Sequence, residues 1–388
     1  MKNVRIVILG MMGRCPFGGQ TWLFLNWLLG FHRLGHDVWY VEDDTVWPYN
    51  PEQNTVTDDC SYAVGHIDGC MKRIGLPGKW VFRLADHDGA CWGLSEKNLL
   101  KLYRSCDLLL NVTGATDLRD EHMTAPFRVY VECDPVTAEL QLANGDEHTR
   151  IAFGNHDAFI TYGENYGSPD CEVPLNGIQY AKTRQPVDVE FWPMTYDPSA
   201  RFFTTIGNYR QSGNDVVYNG NTYYWSKHHE WQKFVDLPRH TTQPLELAMM
   251  PDDLAEREYL RSHGWQLTSP FKMSLDVFGD YREYFRRSRA EFTVAKDQNV
   301  RLRSGWFSER AACYLACGKP VVVQDTGFSN VLPTGAGLFA FSNMDEALTG
   351  IEAINSDYGR HCKAAREIAN EYFRAETVAA RFLNDLGY

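Results

Sequence analysis

Arg301 to Asn330 reads RLRSGWFSERAACYLACGKPVVVQDTGFSN, and the reading of this stretch decides the fold. Ser308 is a good helix N-cap and Glu309 opens the turn that follows. An Ala-rich helix comes next, with Ala312, Leu315 and Ala316 on its packing face. Gly318 ends it and Pro320 blocks continuation. Residues 321–323 form a buried strand, and Asp325-Thr326-Gly327 is a polar loop at its end. A loop of Ser304, Gly305 and Ser308 therefore sits at a helix N-terminus. Free N–H groups and the helix dipole there favour an anion such as a diphosphate. Gly305 permits close backbone approach, and Ser304 and Ser308 add hydroxyls. Arg301, Arg303 and Lys296 would neutralise phosphate charge. A capped helix with solvated arginines is the plainer reading of the same residues.

Outward from this segment, short apolar strands alternate with helical stretches, the signature of parallel sheets with crossover helices. In the first half, strands are expected at 5–9, 38–41, 108–112, 128–132 and 159–162. A helix over 21–34 has an apolar face at Leu23, Leu25, Leu28, Leu29 and Phe31, capped by Gly35. Residues 181–200 hold three prolines and little periodicity, so a linker is expected at 186–200. The second half repeats the scheme, with strands at 204–208, 245–249, 291–295, 320–324 and 338–341. Asn219-Gly220 marks a hairpin over 216–224. Asn343 with Glu346 makes a capping box, and 360–386 reads as continuous helix. The expected architecture is α/β, two doubly wound Rossmann-like domains facing across a cleft. Their bounds are 1–185 and 201–372, with a terminal helix at 373–388 returning to the first domain.

The chain has 388 residues, 44% hydrophobic and 23% charged, which suits two globular domains. No apolar run reaches the ~20 residues that span a bilayer. The ten cysteines form no CxxC pair and read as reduced thiols. With no targeting segment at the N-terminus, the cytoplasm is the expected location. The net charge of −12 argues against broad binding of duplex nucleic acid. It leaves room for a local basic pocket.

The segment resembles the donor-binding half of GT-B glycosyltransferases. The match runs through Ser304-Gly305-Trp306-Phe307-Ser308, the Ala-rich helix to Cys317, Gly318-Lys319-Pro320-Val321-Val322, and Gln324-Asp325-Thr326-Gly327. It is strongest over 291–345. The resemblance implies a nucleotide-sugar donor as co-substrate, no separate cofactor and no metal. It also implies that the first loop, with Trp306, holds the diphosphate and that Asp325, Thr326 and Gly327 approach the donor sugar. Many relatives carry a Glu that holds the ribose where Cys313 stands here; either the ribose is held differently or Glu309 serves from the preceding turn. Plant-type relatives have a His where Arg303 or Ser304 stands.

On the other side of the cleft, Gly18-Gly19 before a helix matches a common GT-B loop near the reacting centre. Inverting members often carry a base in that loop as a His, and none is present. The candidates elsewhere are His87 and Asp88 in Asp86-His87-Asp88, and Asp117 in the turn after 108–112. His156-Asp157 reads as structural. A retaining enzyme needs no strong base, so both stereochemical courses stay open. Asp86-His87-Asp88 also has DxD spacing, a weak metal signal placed in the acceptor half. Phe17, Gln20 and Trp92 are candidate acceptor contacts, among aromatics that include Trp47, Tyr49, Trp80 and Tyr166. Transfer to a hydroxyl of a small molecule or glycan is the leading reading. A sugar-nucleotide epimerase, a transferase acting on a modified nucleic-acid base, and a non-catalytic nucleotide-sugar binder are the alternatives.

Overall fold

A computed structural model of the chain describes residues 3–85 and 90–388. Two mixed α/β layers stand side by side. The first sheet has eight strands in the order Tyr180–Lys182, Ala158–Thr161, Arg128–Glu132, Leu108–Val112, Arg5–Leu9, Asp37–Asp44, Trp80–Leu84, Cys91–Trp92. All neighbours are parallel except the last pair. The second sheet is wholly parallel: Gln266–Leu267, Leu245–Ala248, Phe203–Ile206, Ala290–Thr293, Val321–Gln324, Leu338–Phe341. In both sheets the strand order reverses beside the first strand, as in doubly wound folds. Loops at the carboxyl ends of the central strands thus meet between the sheets.

Buried runs explain the strands. Ile6, Val7, Ile8 and Leu9 are fully enclosed, as are Val321 and Val322. Such two-sided burial is what parallel sheets demand. The expected hairpin is present, Val216–Tyr218 against Asn221–Tyr223, with Asn219 and Gly220 at positive φ. It projects from the second sheet onto the first half, where Asn144 Nδ2 donates to the Val217 carbonyl at 2.8 Å. Residues 186–200 are not a loose tether. The Val187 amide donates to Phe373 O at 2.7 Å, the Ala375 amide donates to Val187 O at 3.0 Å, and Trp192 is buried.

Three expected elements differ. The first helix is Gly18–Arg33, so Gly18 and Gly19 lie in its first turn rather than in the loop before it. The run 360–386 is broken: Tyr358–Ile368 passes into a π-turn at Ala369–Phe373, and Arg374 leaves helical geometry to bridge Val187 before Ala375–Asp385. Trp92 belongs to the core side of the edge strand, its ring 5.8 Å from that of Phe82. The last helix packs on the first, where Phe382 meets Trp27 and Phe31, and Gly30 lets the Ala375 carbonyl approach.

Gly18 has a steric reason. A β-carbon there would lie 2.4–2.8 Å from ring atoms of Tyr281, a residue of the second half. At Gly19 the nearest atom would be the Tyr281 hydroxyl at 3.4 Å. Gly18→Ala should therefore cost about 1–3 kcal/mol by overpacking, and Gly19→Ala about 0.5 kcal/mol or less. Calorimetry on the two variants checks this. Equal melting temperatures would show that the Tyr281 ring does not seat against the first turn.

Candidate active site

The space between the sheets is a cleft of about 560 Å³. One wall is the first turn of Gly18–Arg33 with Phe17, Gly19 and Gln20. The other is the head of helix Glu309–Ala316 with Trp306 and Ser308. The loop that delivers Phe17 is folded around buried Glu42, which accepts from the Gly13 amide, from the Arg14 amide at 3.0 Å and from the Tyr40 hydroxyl at 2.6 Å. Burial lifts Glu42 above its ordinary range against the pull of Arg14.

Three cations converge at the helix head: Lys227, Lys296 and Arg310. Arg310 is spent on structure. It donates to Glu291 Oε1 at 2.6 Å, to Ile206 O at 2.8 Å and to Thr293 Oγ1 at 2.7 Å. Lys296 is paired with Asp134 of the first half, and its ammonium lies 3.9 Å over the Trp225 ring. Lys227 has no hydrogen-bond or carboxylate partner among the described residues. Its ammonium sits 5.0 Å from the centre of the Trp306 ring. Desolvation, then the charges of Arg310 and Lys296, hold it well below the usual lysine range. An anion beside Lys227 would relieve both effects.

Ser308 is the N-cap by position, yet its hydroxyl caps no helix amide. The first turn of this helix therefore lines the cleft beside the cationic corner, and the Ser308 hydroxyl has no hydrogen-bond partner among the described residues. Glu309 follows. Its Oε1 accepts from Asn26 Nδ2 at 3.3 Å, and desolvation pushes its carboxyl up to about 8. At neutral pH it is protonated, so it neither repels a diphosphate nor cancels Lys227. Cys313, one turn on, also lines the cleft.

Other expected donor residues make contacts within the second half or across to the first. Arg303 donates to Asp170 Oδ2 at 2.7 Å and to Asp325 Oδ2 at 3.3 Å, and does not line the cleft. Arg301 turns to the hairpin, donating to Thr222 O at 2.7 Å beside the Tyr223 ring. The Ser304 hydroxyl donates to Asn299 Oδ1 at 2.7 Å. The close approach that Gly305 allows is to protein: a β-carbon would stand 2.3 Å from the Asn165 nitrogen, which donates to Ser304 O at 3.1 Å. Gly327 likewise clears the Asn165 side chain. Asp325 accepts from the Gly327 amide at 3.0 Å and from the Ser329 hydroxyl at 3.0 Å, and the Thr326 hydroxyl donates to Trp306 O at 2.6 Å. These contacts hold the shape of the loop.

Asp117 is exposed beside His148, 3.5 Å away, and is not part of the cleft. Asp86, His87 and Asp88 lie outside the described residues. His156 is structural: burial draws it down to about 4, and its ring is held between Asn111 and the Ala152 carbonyl. Trp92 is not among the residues that line the cleft, whereas Phe17 and Gln20 are. Asp43, Glu121 and His122 gather ligand atoms within 4.8 Å. Arg83 and Arg119 already occupy these carboxylates, so the cluster reads as an ion-pair network. Lys227, Arg310 and Asp134 went unseen in the sequence. Lys227 follows a hairpin signal, and that was the available hint.

No protein-family model and no curated protein sequence matches the chain. Solved structures do match it in fold. An alpha-glucosyltransferase in complex with UDP and a 13-mer DNA is 11% identical, with all of both chains covered and a TM-score of 0.60. Sucrose-phosphate synthase from Thermosynechococcus elongatus is 12% identical over 99% of this chain and 98% of its own, with a TM-score of 0.54. HepE from Anabaena, in complex with UDP and glucose, is 12% identical over 99% of each chain, with a TM-score of 0.53. The class is thereby defined: the chain has the GT-B fold, two Rossmann-like domains across a cleft. Among the described residues, no helix is long and apolar enough to cross a membrane.

The raised Glu309 carboxyl makes stability depend on pH. Its folded value, about 8, exceeds its ordinary 4.5, so the folded state holds the extra proton between them. This contribution is complete below about 4.5 and is lost as pH rises through about 8. The melting temperature of Glu309→Gln should fall less than that of the parent between pH 5 and pH 8.5. Parallel curves would show that Glu309 titrates normally.

Proposed function

We propose that the chain is a glycosyltransferase that takes a sugar from a nucleotide-sugar donor and transfers it to a hydroxyl of a small molecule or glycan. The observation that carries this reading is Lys227. Its side-chain nitrogen has no hydrogen-bond or carboxylate partner among the described residues, and it lines the cleft of a GT-B fold together with the head of helix Glu309–Ala316. In this reading the donor diphosphate lies between the Lys227 ammonium and the first-turn amides, with the Ser308 hydroxyl beside it. Charge that develops on the departing diphosphate is met by a fixed dipole and by the Lys227 side chain, whose charged form an anion beside it favours. Lys296, tied to Asp134, adds positive potential without reaching free of its partner. Protonated Glu309 offers a neutral donor to the same space. Similar structures hold UDP, which supports a uridine diphosphate sugar as the first donor to try.

The sugar moved is a hexose in this reading, as HepE is seen with glucose. The acceptor faces Phe17 and Gln20, across the cleft from the helix head. The net charge of −12 supports a small or glycan acceptor over duplex DNA. Ten unpaired thiols suit a reducing compartment, which supports the cytoplasm.

Calorimetric titration with UDP tests the reading. Losing a charge-assisted bond costs about 1.5–3 kcal/mol, so Lys227→Ala should weaken UDP about 10- to 150-fold. Arg303→Ala should change UDP affinity little, because its guanidinium is spent on Asp170 and Asp325. Full UDP affinity in Lys227→Ala would remove the phosphate site from the helix head.

A further inference from the structure

A second recess opens beside the cleft. It holds about 190 Å³ and is walled by Thr113, Glu132, Asp134, Gln141, Asn214 and Trp225. Thr113, Asp134 and Trp225 also line the cleft, so the two spaces adjoin. Both halves build it. Thr113 and Glu132 come from the ends of central strands of the first sheet, and Asn214 and Trp225 flank the hairpin of the second. The strand ends are held in unusual geometry: Thr113 has φ +63° and Val136 has φ +97°, both in the left-handed region that β-branched residues avoid.

One buried polar atom of this wall lacks a partner among the described residues, Thr113 Oγ1, whereas the buried carboxyl of Glu132 is hydrogen-bonded to that of Glu139. Leaving such a group unmet costs about 1–3 kcal/mol, so the Thr113 hydroxyl awaits something polar. A threonine hydroxyl both donates and accepts. Burial, then the charge of Glu139 and the hydrogen bond to it, holds Glu132 well above the carboxylate range. Asp134 accepts, but its charge is already matched by Lys296, and its Oδ2 takes the Trp225 indole N–H at 2.8 Å. Alternating donors and acceptors in a ring-sized space, with an indole in the wall, match hydroxyls on a pyranose.

We propose that this recess is the acceptor subsite and takes an uncharged sugar ring, whose reacting hydroxyl points past Asp134 into the cleft. The proposal rests on the glycosyltransferase reading, and its test separates the two. Saturation-transfer NMR on the full chain, with and without UDP, uses methyl glucopyranoside, methyl galactopyranoside, methyl mannopyranoside and thymidine as probes. At least one pyranoside should give a saturable signal that persists with UDP bound. Ala138→Phe places a ring in the recess from helix Thr137–Ala143. It should weaken that signal at least tenfold. Asn214→Ala, an exposed position that cannot harm the core, should weaken it several-fold. UDP binding by the parent with no pyranoside signal overturns the proposal. So does a pyranoside signal untouched by Ala138→Phe and Asn214→Ala, or a signal from thymidine alone. A pyranoside signal lost in both variants, with no UDP binding, keeps the recess and fails the donor reading.

Discussion

Among the described residues the side-chain nitrogen of Lys227 has no carboxylate partner, in a chain that carries 50 acidic and 38 basic residues. An acidic protein has carboxylates enough to pair every cation it must bury. Here Lys296 and Arg310 are paired and Lys227, between them, is left open. The uncapped Ser308 and the protonated Glu309 extend the same imbalance along the helix head. Each is mildly unfavourable by itself. Together they describe the complement of a bound anion, as sites that stabilise developing charge must.

This corner exists only while the halves are held in register. Glycines at three positions make the approach possible: Gly18 against Tyr281, and Gly305 and Gly327 against Asn165. Polar ties then fix it, with Trp22 donating to Val277 O at 2.9 Å, Trp306 donating to Cys133 O at 3.0 Å, and Asn330 donating to Asp170. The returning C-terminal helix adds an apolar seam along Trp27, Phe31 and Phe382. Several residues expected at the donor site also clasp the two halves together. Arg303 is the clearest case, 133 positions from its partner Asp170.

That distance explains what the sequence could and could not tell. Periodicity and local stops are short-range signals, so the strands, the Asn219-Gly220 hairpin and the helix after Ser308 were legible. The position of the helix head in a cleft followed from the alternation of elements. Whether a cation near that head meets a phosphate or an aspartate depends on the opposite half, which local pattern does not encode. Arg301 and Arg303 stood close in sequence and were drawn to protein partners. Lys227 stood 81 positions before Ser308, beyond a hairpin, and its lack of a partner is visible only in three dimensions. The packing of Trp92 near Phe82 was hidden for a related reason: an edge-strand aromatic and a loop aromatic look alike until the sheet is built.

The most direct measurement is a crystal structure of the chain with UDP. The account predicts the diphosphate within hydrogen-bond reach of the Lys227 ammonium and of the first amides of helix Glu309–Ala316, with Arg303 still on Asp170. A diphosphate bound through Arg301 and Arg303, or away from the helix head with Lys227 in solvent, would contradict it.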